Sequence, residues 1–73
     1  MTNKQSIDCL LAELIDQQQA ELLKCGRRIV PTLTPEDILQ PNDYMELEHN
    51  PHFRYEEGIL AGYQTVLVAL RAS

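Results

Sequence analysis

The sequence predicts an all-α chain, an antiparallel helical hairpin whose two long helices are joined by a connector of about 25 residues holding short helical turns. Three observations lead there. Apolar residues recur three and four apart in the first and last thirds, with no alternating stretch. Helix start and stop residues flank both thirds. Between them, Thr34-Pro35 and Asn50-Pro51 each pair a capping residue with a proline suited to the first helical position.

The first helix is expected over residues 7–25. Ile7, Leu10, Leu11, Leu14, Ile15, Leu22, Leu23 and Cys25 carry its periodicity. Ser6 reads as the N-cap, and Asp8 places a negative charge in the first turn, where the helix dipole favours it. Gln17, Gln18 and Gln19 interrupt the apolar pattern with residues that favour helix but not burial. Lys24 in the last turn and Gly26 just beyond it read as a stop signal.

The connector is expected over residues 26–50. Pro31 biases Val30 towards extended backbone. Thr34, Pro35, Glu36 and Asp37 then read as an N-cap, a proline at the first helical position and acids in a first turn. Ile38 and Leu39 give that turn an apolar side, and Pro41 stops it. Asn42 or Asp43 is expected to cap a second turn over residues 44–48. If Leu33, Ile38 and Leu39 dock on the hairpin, the connector is a third layer of core. If it stands free, Tyr44, Met45 and His49 are exposed recognition residues.

The second helix is expected over residues 51–72. Phe53, Leu60, Tyr63, Leu67 and Leu70 form a stripe that Ile59, Val66 and Ala69 widen, and no charge falls between Gly58 and Leu70. A helix apolar nearly all round is buried on several sides, and one hairpin covers only one. The expected interface is therefore Ile59, Leu60, Tyr63, Val66, Leu67 and Leu70, matched by Leu11, Leu14 and Leu22. Two hairpins would pair into a four-helix bundle, a homodimer. A chain of 73 residues buries only about 60% of its unfolded surface alone, which adds weight to assembly. Gly58 and Gly62, with Ala61, Thr65 and Ala69 beside them, are spaced for a close helix crossing.

Composition narrows the partners. A net charge of −5 opposes nucleic-acid binding, which depends on neutralising phosphates. The longest uncharged run, residues 58–70, is well short of the ~20 residues that span a bilayer. No basic, apolar leader is visible, so a cytoplasmic location is expected. Cys9 and Cys25 lie 16 residues apart in one helix, or about 24 Å by the helical rise, too far for a disulfide. Both read as buried or half-buried thiols in a reducing compartment.

One polar cluster could carry chemistry. Glu46 and His49 have the Glu-x-x-His spacing of carboxylate–histidine metal sites, and His52 and Glu56 could add two ligands. Against this, Pro51 prevents one continuous helix from carrying all four, and only one such motif is present. Cys25 at a helix C-terminus is a poor nucleophile, and Cys9 has no histidine near it in sequence. The chain lacks a glycine-rich phosphate loop. Lys24, Arg27 and Arg28 suit a helix C-terminus and could meet Glu56 and Glu57. The expectation is a non-enzymatic, cofactor-free, self-associating protein that acts through protein–protein contact. Its alternatives are an accessory or antitoxin-like subunit of a hetero-complex, and an oligomeric metal-binding protein.

Overall fold

A computed structural model describes residues 4–40 and 43–72. Four helices follow one another: α1 (Lys4–Arg27), α2 (Pro35–Ile38), α3 (Met45–Glu48) and α4 (Pro51–Ala72). α1 and α4 pack along each other. Their cross-links run in opposite senses, Asp8 to Arg71 and Gln18 to Glu56, so the pair is an antiparallel hairpin. The molecule is a rod of 43 × 19 × 16 Å.

α1 is longer than expected at both ends. Ser6 lies inside its first two turns and is not the N-cap, and Asp8 reaches across to Arg71 at 2.8 and 3.0 Å. At the other end Gly26 does not sit beyond the helix as a left-handed stop. It is a buried helical residue, and no described residue has positive φ. The missing side chain makes room: a Cβ there would collide with Leu33 Cδ2 and lie 3.3 Å from Phe53 Cε1. The helix stops through tight turns instead, with Ile29 N–H and Val30 N–H both donating to Gly26 O, at 3.0 and 2.7 Å. Arg27 Nε then donates to Leu33 O at 2.8 Å, fastening the connector to the helix end.

The short helices follow local rules more closely. Thr34 and Asp37 form a capping box: Thr34 N–H donates to Asp37 Oδ2 at 2.9 Å and Asp37 N–H to Thr34 Oγ1 at 3.3 Å. The Thr34 amide holds the Asp37 carboxyl below its ordinary range, against the opposing pull of desolvation and with help from the Thr34 and Tyr44 hydroxyls. α2 closes when Leu39 N–H and Gln40 N–H donate to Glu36 O and Asp37 O, both at 3.1 Å. The expected stop at Pro41 and cap at Asn42 lie outside the described residues. Asp43 does not cap α3; Tyr44 occupies that position and makes no side-chain cap bond. α4 starts as expected, with Phe53 N–H donating to Asn50 Oδ1 at 2.9 Å and Pro51 at its first position.

The core lies where the connector crosses the hairpin. Leu22, Cys25, Leu33, Leu47, Phe53 and Leu60 form it, with Ile29, Val30, Ile38 and Tyr44 packed around it. Each of the largest of these, fully buried, contributes about 1.5–3 kcal/mol of transfer free energy. Leu33 and Leu47 make the connector a third layer. Leu39, at the C-cap of α2, does not join it and stays 76% exposed.

Candidate functional site

Helical spacing divides the remaining surface of the hairpin into two sides. On α1, Ile7, Leu10, Leu14, Gln17 and Glu21 share one row, and Ala12, Asp16, Gln19 and Leu23 share the opposite one. On α4, Ile59, Tyr63, Val66 and Leu70 share a row, opposite Glu57, Ala61, Gln64 and Val68. Two recesses show which rows stand together. Leu14, Gln17 and Glu21 line one with Tyr63. Gln19 and Leu23 line the other with Glu57, Ala61 and Gln64, together with Pro35, Ile38 and Leu39.

The two sides differ in chemistry. The second is a groove of about 530 Å³ closed at one end by α2 and edged with glutamines and Glu57. The first is apolar from Ile7 to Leu14 and from Ile59 to Leu70, and no charged residue falls in those two rows over that length. Leu10 is 54% and Val66 53% exposed; Leu14, Ile59, Tyr63 and Leu70 are half-buried. This apolar side face is the candidate functional site.

Of the interface residues expected from sequence, Leu11, Leu22 and Leu60 are buried inside the hairpin. Leu67 is half-buried, with helical spacing that places it between the helices. Leu14, Ile59, Tyr63, Val66 and Leu70 are brought together on the apolar side. Ile7 and Leu10 also belong to it; the steps of three from Ile7 to Leu10 and four from Leu10 to Leu14 were the available signal. Gly58 and Gly62 are exposed, and an added Cβ at either meets nothing within 4 Å. Thr65 Oγ1 donates to Ala61 O at 2.8 Å, so the row between them presents no free hydroxyl donor.

The polar cluster is arranged differently from a ligand set. Glu46, His49 and His52 are exposed. Glu56 is half-buried, its Oε2 accepting from Gln18 Nε2 at 2.6 Å, while Gln18 also donates to Glu56 O at 3.0 Å. His52 Nε2 stands 3.6 Å from the other carboxylate oxygen. Among the described residues no three His, Cys, Asp or Glu side chains stand together where they could hold a metal ion. Of the basic cluster at the end of α1, Arg27 holds Leu33 O, while Glu56 accepts from Gln18 and Glu57 pairs with Arg54 at 2.9 Å.

The cysteines part company. Cys25 is buried, and burial pushes its thiol up, Glu56 adding to the shift and Arg28 opposing it. Cys9 is exposed, contrary to the expectation that both thiols are at least half-buried. It lies three residues from Ala12 and on neither apolar row, so α4 does not cover it. Among the described residues no helix is long and apolar enough to cross a membrane. Comparison of the chain with protein-family models, curated proteins and solved structures finds no match.

Proposed function

We propose that this protein works by protein–protein contact and associates with itself, two hairpins forming a four-helix bundle. One observation carries the reading: an uncharged, partly exposed apolar side that spans both long helices over the half of the rod without a connector. Shape supports it. The chain exposes 5221 Å², against about 4,600 Å² for a monomeric globular protein of its mass. Its radius of gyration is 13.9 Å, against about 11 Å for a compact domain of this length.

A second reading, an accessory subunit of a hetero-complex, is favoured by Leu39, whose exposed side chain borders the groove beside α2. Light scattering on the isolated chain separates them. Self-association gives a mass near 17 kDa, twice 8.4 kDa. A monomer at 8.4 kDa contradicts it and leaves the hetero-complex.

A further inference from the structure

The net charge of the chain is confined to one half of the rod. Between residues 16 and 57, nine acids face four bases, which accounts for the whole −5. In the rest, Asp8 and Glu13 balance Lys4 and Arg71, and Asp8 and Arg71 are joined directly. The neutral half is also the half whose apolar side is uncovered. The opposite side is edged with Gln19, Gln64 and Glu57.

We propose that the occupant of the apolar side is a second copy of this chain, packed antiparallel, with only the neutral halves overlapping. This rests on the self-association reading and adds which side is used and how the copies are oriented. A two-fold axis across the helices, near the level of Leu10 and Val66, sets each patch against itself, as a symmetric dimer requires. The antiparallel choice follows from the charge: it directs the two −5 ends to opposite extremes of the assembly, whereas parallel hairpins would hold them side by side. The apolar side contains no charged residue that a copy would leave unpaired, so a second copy fits it without burying a lone charge.

The test is sedimentation equilibrium on the full chain and four single variants, with circular dichroism to confirm helicity. Leu10→Glu and Val66→Glu change the apolar side; Leu39→Glu and Val68→Glu change the opposite side, and all four residues are more than half exposed. The wild type, L39E and V68E are expected near 17 kDa, twice the chain mass of 8.4 kDa. L10E and V66E, each burying a charge in both copies, are expected to weaken the dimer by about 100-fold or more. A wild-type monomer overturns both this inference and the self-association reading. A dimer that survives L10E and V66E but dissolves with L39E or V68E overturns this inference alone. Orientation is read from spin labels on Glu48→Cys in a Cys9→Ser background. Antiparallel copies place the labels farther apart than the 43 Å rod length, and a separation near the 19 Å width overturns the antiparallel arrangement.

Discussion

The two halves of this hairpin share the same two helices and stabilise them by different means. In the connector half, Leu33 and Leu47 roof the helix pair, and Phe53 and Leu22 are sealed at 0% and 1% exposure. In the other half Leu11 is the one buried residue among residues 6–14, and Leu10 and Val66 stay half in water. Two helices alone present one seam, whereas a third layer encloses side chains from several directions. The contrast shows that a connector can serve as core where it lies across a hairpin, and that the other end of the helix pair lacks such a layer among the described residues.

The largest test of this contrast is truncation. Phe53→Ala should cost about 3–5 kcal/mol, because it opens a cavity inside the roofed core. Val66→Ala, in the monomer, should change stability by no more than about 0.5 kcal/mol. Urea unfolding of both variants, at a concentration where the chain is monomeric, checks the difference. Equal losses would remove the distinction between the halves.

Alanine at a buried and at an exposed glycine should have opposite signs. Gly58→Ala meets open space and should stabilise α4 by about 0.5–1 kcal/mol through helix propensity. Gly26→Ala gains the same propensity, but its Cβ enters the space of Leu33, which is itself buried. Overpacking then dominates, and a net loss of about 1 kcal/mol is expected. Thermal unfolding of the two variants reports the signs.

The thiols extend the comparison to kinetics. Cys9 is exposed, whereas Cys25 is buried, with its thiol held in the protonated form by burial and by Glu56. Alkylation followed by mass spectrometry should therefore show one fast adduct on Cys9, with Cys25 reacting only in denaturant. Equal rates would mean that the connector half opens readily.

The smallest expected effect concerns the roof itself. Asp37 titrates below its ordinary value of 3.8 because its charged form accepts the Thr34 amide. A carboxyl with a depressed folded pKa contributes stability above its unfolded pKa, and that contribution is lost as the pH falls through the folded value. The α2 capping box should thus persist at neutral pH and weaken only below about pH 4. Carbon-detected titration of Asp37 should give a midpoint under 3.8, and Asp37→Asn should flatten the acid limb of the stability profile.

Much of this architecture was legible because it is local. Thr34-Pro35 and Asn50-Pro51 announce two helix starts within four residues each, and both caps form as read. The two long helices follow from periodicity, which needs no knowledge of what packs where. Gly26 was misread because its role depends on Leu33 and Phe53, which reach it through the tertiary fold. The links Gln18–Glu56 and Asp8–Arg71 span 38 and 63 residues, and no local pattern marks them. The apolar side was half visible: Ile59, Tyr63, Val66 and Leu70 declare themselves, but Ile7 and Leu10 join them only once the antiparallel pairing fixes which row of α1 faces the same way.

Hydrogen exchange measured at two protein concentrations, above and below the dimer dissociation constant, tests the central claim most directly. If the uncovered half is completed by a second copy, amides around Leu10 and Val66 should exchange faster on dilution while those around Leu22 and Phe53 stay unchanged. Exchange that is independent of concentration in both halves, or that accelerates around Phe53 first, would contradict the account.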